Sequence, residues 1–293
     1  MKSLINRKVV VGLLGCLTAL SLAGCSSFNG AKGDAGTAGA TGPAGPKLTG
    51  NWVGYVALLN SSKAFPADKS DITVTVSNPS TLSSAALSAP ITATTNADGK
   101  FVIKNLESGI YTLTFSKTGY ADKKVYNAQF IGGGDVLFDG KTSIADNIIL
   151  ISKAGFEVST VNLTSTASST LTISCFTNLT PGTFGNTGRH VRIFIGTTNS
   201  VSSTPGTYVY TKDNSFSGVN ANGSTSSPLS IYIGSAGLST GVTYYAVLYS
   251  SGTTELSYGS TYLNPDYYFD PTVSGKIYSS LGSQKSNVIS FKL

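Results

Sequence analysis

The 293-residue chain contains a single histidine, His190, three cysteines and one tryptophan, and only 12% of its residues are charged. Each scarcity closes off some chemistry. A zinc site needs three or four clustered His, Cys or carboxylate ligands, which one histidine and three scattered cysteines do not supply. No Gly-x-Ser-x-Gly turn is present to expose a nucleophilic serine. Without a run of Lys or Arg there is no footprint for a phosphate backbone, so nucleic acid is excluded as a partner. Helix-period stretches are almost absent too. His190, between Arg189 and Val191 at the start of an apparent strand, reads as a surface residue rather than a general base. Gly134 to Thr142 approximates a phosphate-binding loop, but it has five residues between its glycines instead of four and no evident helix after it. Asp135, Asp139, Asp266 and Asp270 could serve a hydrolase, yet nothing in their spacing brings two to working distance. The expectation is a non-catalytic protein with no cofactor and no metal site.

What is present begins at the N-terminus. Lys2, Arg7 and Lys8 precede an almost unbroken apolar run from Val9 to Leu22, too short to span a bilayer and flanked like a signal peptide. Leu22-Ala23-Gly24-Cys25 then resembles the lipobox of bacterial lipoproteins. That resemblance implies cleavage after residue 24, a diacylglycerol thioether on Cys25 and acylation, as by palmitate, of the new amine. The membrane would be a partner through this lipid, and the location the bacterial cell envelope, at the outer membrane or cell surface. Loss of residues 1–24 removes three cations and no acids, leaving 17 basic against 14 acidic residues. Cys16 leaves with the signal and Cys25 takes the lipid. Cys175 is left alone in Leu171-Thr172-Ile173-Ser174-Cys175-Phe176, where alternation marks it as a small core residue.

Residues 25–47 hold the lipidated cysteine and a tether. From Gly30 to Lys47, glycine recurs at every third position for six triplets. Strict period three is the pattern of a collagen triple helix, whose crowded axis admits only glycine, and the segment resembles bacterial collagen-like regions. Pro43 and Pro46 are its only prolines. Two readings stand: a flexible spacer reaching up to ~55 Å when extended, or a stalk that forms a weak homotrimer.

The rest suits two β-sandwiches in series, an all-β fold. The first covers 48–152. Trp52–Leu58 and Asp71–Ser77 read as strands, the latter with Ile72, Val74 and Val76 on one face. Asp98-Gly99, between the alternating runs 91–97 and 100–103, predicts a hairpin. Asn105 to Phe115 predicts a tight corner into another strand, Lys117-Thr118-Gly119-Tyr120 a turn, and Asn147–Leu150 a closing strand. The sequence Thr94-x-Asn96-Ala97-Asp98-Gly99-Lys100-Phe101, followed by Asn105-Leu106-x-x-Gly109-x-Tyr111-Thr112-Leu113 and Lys117-x-Gly119-Tyr120, resembles the carboxypeptidase regulatory-like domain and is close to Cna B-type modules. Both families are transthyretin-like sandwiches, and the resemblance implies a non-catalytic spacer or interaction module. The lysine of a Cna-type isopeptide bond is missing between Trp52 and Leu58. Thr94 to Asn105 has the outline of a calcium loop but lacks both its first Asp and its twelfth-position Glu, which leaves a plain turn.

The second sandwich covers 153–293, with strands expected at 157–163, 170–176, 189–195, 207–211, 229–233, 242–249 and 287–293, the number in an immunoglobulin-like sandwich. Leu238 to Tyr249 resembles the tyrosine corner of fibronectin type III domains. By that resemblance Leu238 packs beneath the turn and the Tyr244 hydroxyl bonds to backbone within it. Between 250 and 286, Tyr258, Tyr262, Tyr267, Tyr268, Phe269 and Tyr278 are interleaved with Asn264, Asp266 and Asp270. Rings beside amides and carboxylates can stack on and bond sugars, so Tyr262, Asp266, Tyr267 and Tyr268 are the candidate ligand-binding residues. The other reading is that these rings cover an extra strand pair or cap the sandwich. The sequence therefore points to a non-catalytic envelope module for adhesion, interaction or structure, with a protein or glycan surface partner. Glycan binding through 258–278 is the alternative.

Overall fold

The structure, a computed structural model, describes residues 45–293 except 62–63, 80–86, 139–147, 168–169, 180–188, 217, 226–227, 235, 253–255, 259–260 and 264–266. For Ala167, 256–258 and 261–263 it describes the backbone alone. Cys25, the Gly-X-Y segment and Asp266 lie outside the described residues, as does the side chain of Tyr262. Among the described residues every regular element is a strand, and no helix there is long and apolar enough to cross a membrane.

Two buried cores organise residues 47–293, which form one compact unit. The first lies between two sheets. β1 (Thr49–Leu59) supplies Trp52, Val56 and Leu58 from one face, β2 (Thr73–Ser77) supplies Val74 and Val76, and β3 (Ile91–Thr94) lies beside it. β4 (Lys100–Glu107), β5 (Gly109–Ser116), β6 (Lys123–Phe130), β7 (Gly134–Leu137) and β8 (Ile148–Ile151) complete this sandwich. One sheet runs β4-β1-β7, with β8 parallel to the far end of β1; the other runs β3-β2-β5-β6. Period-two alternation of β-branched and aromatic residues sends Phe101, Ile103, Tyr111, Leu113 and Phe115 inward around Trp52. The opposite face of β1 is buried as well, where Ala57 and Leu59 meet Ala121, Ile149 and Ile151.

The expected hairpin at Asp98-Gly99 does not form. The tight turn is present, with Gly99 at φ 81° and its N–H donating to Asn96 O at 2.9 Å. However, β3 pairs with β2 and β4 with β1, so the turn carries the chain from one sheet to the other. The side chains decide this: Phe101 and Ile103 on one strand and Ile72, Val74 and Val76 beside the other all have to reach the same core. β4 and β5 part in the same way at the corner the sequence predicts, where Asn105 has φ 54°. β6 and β7 have no counterpart among the expected strands. Gly134, the first glycine of the apparent phosphate loop, opens β7 and lies opposite Gly50.

The second core is enclosed by seven strands. β9 (Val158–Ala167), β10 (Thr170–Thr177), β11 (Arg189–Gly196), β12 (Tyr210–Phe216), β13 (Leu229–Tyr232) and β14 (Thr243–Ser251) follow in sequence. After two short hairpins, β15 (Leu256–Tyr258) with β16 (Thr261–Leu263) and β17 (Tyr268–Asp270) with β18 (Gly275–Ile277), the chain ends in β19 (Ile289–Lys292). A three-stranded sheet, β13-β10-β9, faces a four-stranded one, β12-β11-β14-β19. The strand expected at 207–211 begins later, because 203–207 is a turn in which the Thr207 hydroxyl donates to Thr204 O at 2.8 Å. Cys175 is buried in this core as expected, and desolvation pushes its thiol up to about 11. The Tyr244 hydroxyl accepts the Ser239 N–H at 2.8 Å, and Leu238 packs against the core below.

Candidate functional site

The C-terminal part of the aromatic segment singled out in the sequence folds into the β17–β18 hairpin, where the candidates Tyr267, just before β17, and Tyr268, its first residue, turn to opposite sides. Tyr267 turns toward the second sandwich. Its ring centroid lies 5.7 Å from that of Tyr278, and Lys276 Nζ sits 4.2 Å from its centre. Tyr278 in turn packs 5.5 Å from Phe194, in a cluster with Val201, Val247 and Tyr249 on the outer face of the β11–β14 sheet. Tyr268 turns toward the first sandwich, its ring centroid 6.3 Å from that of Tyr126 on β6. The two rings therefore do not form one platform. Phe269, 56% exposed, points to solvent.

The hairpin also bonds the two sandwiches together. Tyr126 Oη donates to Asp270 Oδ2 at 2.7 Å, Lys123 Nζ to Tyr267 O at 2.5 Å, and Ser279 Oγ to Asp122 O at 2.6 Å. Behind them the connecting chain is pinned by Lys153 N–H to Gly119 O at 3.0 Å and Ala121 N–H to Ile151 O at 2.7 Å. Burial, then the bond to Asp270, raises the Tyr126 hydroxyl well above the ordinary tyrosine range. Tyr268 is raised mainly by burial, with the Asp270 charge adding to it. Asp270 is held below the usual carboxylate range, first by the Thr272 hydroxyl and then, against some desolvation, by Tyr126.

A polar row crosses the outer face of the same sheet. Val191, Ile193 and Ile195 of β11 enter the core, so His190, Arg192 and Phe194 point the other way. His190 Nδ1 lies 2.7 Å from Asp213 Oδ2, Arg192 Nη2 lies 4.0 Å from Asp213 Oδ1, and the Arg192 guanidinium stacks 4.5 Å over Tyr278. The expectation of a surface histidine is thus corrected: the His190 side chain is 11% exposed and hydrogen-bonded to Asp213, which β12 places beside it. Asp213 and Arg192 were not singled out from the sequence. The available signal was the same-face pair His190 and Arg192 followed by Lys212-Asp213-Asn214 one strand later. Among the described residues no group of three His, Cys, Asp or Glu is arranged to hold a metal ion. Of the scattered carboxylates, Asp135 accepts from Asn51 Nδ2 at 2.7 Å on the first sandwich and Asp270 lies at the joint.

A groove of about 400 Å³ runs between β6 and β7 on the first sandwich, lined by Trp52, Val125, Ala128, Ile131, Leu137 and Phe138 among others. β6 pairs only with β5 and β7 only with β1 among the described strands, so the groove has a sheet edge on either side.

No protein-family model matches the chain, and no curated protein matches it. Among solved structures, an N-terminal interface mutant of a type II cohesin–X-dockerin complex from Acetivibrio cellulolyticus is similar at 20% identity and a TM-score of 0.25. That match covers 36% of this chain and 58% of the other, so the chain spans little more than half of its length. A DUF3823 family protein from Parabacteroides merdae is 16% identical with a TM-score of 0.24, over 71% of this chain and 92% of that one. A candidate carbohydrate-binding protein from Bacteroides uniformis is 12% identical with a TM-score of 0.27, over 84% and 100%. At these values the likeness bears no functional weight.

Proposed function

We propose that this chain is a cell-envelope lipoprotein, acylated at Cys25 and raised on its Gly-X-Y tether, that displays a non-catalytic module for adhesion, interaction or envelope structure. The observation that carries the reading is the joint between the sandwiches. Asp270, Tyr267 and Tyr268, which the sequence offers as candidates for chemistry or display, are engaged at this joint, Asp270 and Tyr268 against Tyr126 and Tyr267 through its carbonyl on Lys123. Such a joint suits presentation of a surface at a distance from a membrane. The Leu22-Ala23-Gly24-Cys25 motif supplies the attachment, and more than one acyl chain makes it stable at ~0.8 kcal/mol per buried methylene.

Palmitate labelling of wild type and Cys25→Ala, with protease treatment of intact cells, tests this. Label lost in the variant and a body cleaved from outside support a displayed lipoprotein. Wild type that takes no label removes the anchor and the reading with it. Glycan capture stands as the alternative on the exposed ring of Phe269, beside Asp270 on the same strand. A glycan panel whose binding is lost in Phe269→Ala would favour it.

A further inference from the structure

The chain between the two sandwiches, Ser152 to Phe156, passes over the start of β11 and the end of β14. There it borders a pocket of about 20 Å³ lined by Ser61, Ser152, Lys153, Arg189, His190 and Ser251, together with Ala154, Gly155, Phe156 and Gly252. His190 and Ser251 face each other in register across the strand pair. Ser251 is 4% exposed, and its hydroxyl makes no hydrogen bond to any described residue. The same holds for Ser152 Oγ and His190 Nε2, both buried. A buried polar atom without a partner costs ~1–3 kcal/mol, so three lining one pocket call for a ligand that satisfies them together.

The wall's chemistry limits what that ligand is. Lys153 and Arg189 bring positive charge, and among the described residues that line the pocket none is acidic. Serine hydroxyls can turn their protons inward. The volume exceeds the ~10–15 Å³ that one water needs and suits a small occupant. We propose that this pocket binds a small monoatomic anion, of which chloride is the representative, and that His190 takes up a proton as the anion enters. Asp213 accepts from Nδ1 at 2.7 Å, which leaves Nε2 to the pocket side. In the neutral ring Nε2 is a lone pair that repels an anion; in the imidazolium it is a donor. The charged groups around the ring are Asp213 on β12, Arg189 and Arg192 on β11, and Lys153 on the connecting chain, while β14 contributes the uncharged Ser251. The bound anion would tie the connecting chain to the second sandwich.

The experiment compares thermal unfolding of the whole protein in sodium bromide, chloride and gluconate at matched ionic strength, at about pH 5.5 and about pH 8, together with bromide anomalous scattering from crystals. The expected result is a saturable rise in Tm with either halide but not with gluconate, larger at the lower pH. It is joined by a bromide peak within hydrogen-bond distance of His190 Nε2 and Ser251 Oγ. Ser251→Ala weakens the apparent halide affinity about tenfold. If that variant does not fold, the wild-type bromide map decides alone. An ordered water at the site in bromide-soaked crystals, or identical Tm values in bromide and gluconate, overturns the proposal.

Discussion

Tyr126 and Asp270, separated by 144 residues in sequence, meet at 2.7 Å and join the edge strand β6 of the first sandwich to the hairpin of the second. A neutral donor on a carboxylate is among the stronger hydrogen bonds, but this one sits at a partly solvated joint, which reduces its net worth. Tyr126→Phe keeps the ring packed against Tyr268 and removes only the bond. It should cost about 1 kcal/mol, a fall of about 2–4 °C in Tm for a body of this size. Calorimetry on the purified body measures it, and an unchanged Tm would show that the bond contributes nothing net.

The same pair makes stability depend on pH at both ends. The folded state holds the Tyr126 and Tyr268 protons more tightly than the unfolded chain, whose tyrosines ionise near 10.0. Their contribution is complete below that pH and is lost as pH rises through the raised folded values. Asp270 works in the other direction. Its folded value lies below the ordinary carboxylate value of 3.8, so its contribution is present above that pH and is lost as pH falls through the lowered value. Denaturant titrations across pH should show both limbs, and Tyr126→Phe should flatten the alkaline one.

Much of this fold can be read from alternation, because a residue's side of a strand follows from its parity. Ile72, Val74 and Val76 and buried Cys175 lie where the alternation places them, and the Tyr244 hydroxyl bonds to backbone as the resemblance to a tyrosine corner implies. Pairing between strands is a different matter. Asp98-Gly99 encodes a turn, and a turn does not say whether its flanking strands share a sheet; packing around Trp52 decides that. β6 went unread because its pattern, Lys123-Lys124-Val125-Tyr126-Asn127-Ala128-Gln129-Phe130, belongs to a half-buried edge with a bulge at Asn127, whose φ is 55°. His190 lies away from its expected place because Asp213 reaches it only through the β11–β12 register, which the same-face pair His190 and Arg192 and the later Lys212-Asp213-Asn214 suggest but do not fix.

Asp213→Ala tests the polar row. The carboxylate serves both His190 and Arg192, and its side chain is 15% exposed. Its removal leaves a guanidinium and an imidazole facing each other in a largely buried setting, with an expected cost of about 3 kcal/mol. Asp213→Asn keeps the shape and one acceptor and should cost less. Equal and small losses in the two variants, measured by urea unfolding, would mean that water already screens the pair.

Two glycines with the same backbone sign separate conformation from crowding. Gly99 (φ 81°) and Gly119 (φ 83°) both occupy the left-handed region, where an L-residue costs about 1–2 kcal/mol. A Cβ on Gly119 meets nothing within 4 Å, whereas one on Gly99 runs into Val56 O. The Gly99 carbonyl also accepts the Val56 N–H at 2.8 Å, so displacing the turn breaks its bond to β1. Gly119→Ala should therefore cost about 1 kcal/mol and Gly99→Ala upward of about 2, with the difference reporting the collision alone.

Tyr267 and Tyr268 distinguish a cap from a sugar platform by what their removal does to stability. A ring kept for a ligand is spare in the free protein, and its truncation leaves Tm where it was. A ring that packs is not spare. Tyr267 lies between Tyr278 and Lys276, and Tyr268 lies against Tyr126, each in a geometry worth about 0.5–1.5 kcal/mol beyond buried area. Tyr267→Ala and Tyr268→Ala should each lower Tm by a few degrees, about 2–4 °C per kcal/mol lost. They should also differ in kind, because Tyr268 sits at the joint and Tyr267 on the second sandwich. Combined with Tyr126→Ala, Tyr268→Ala should be non-additive, since each removes the same ring contact, while Tyr267→Ala with Tyr126→Ala should come closer to adding. Two fully additive pairs would break the assignment of Tyr268 to the joint, and two unshifted melting temperatures would return both rings to the sugar reading.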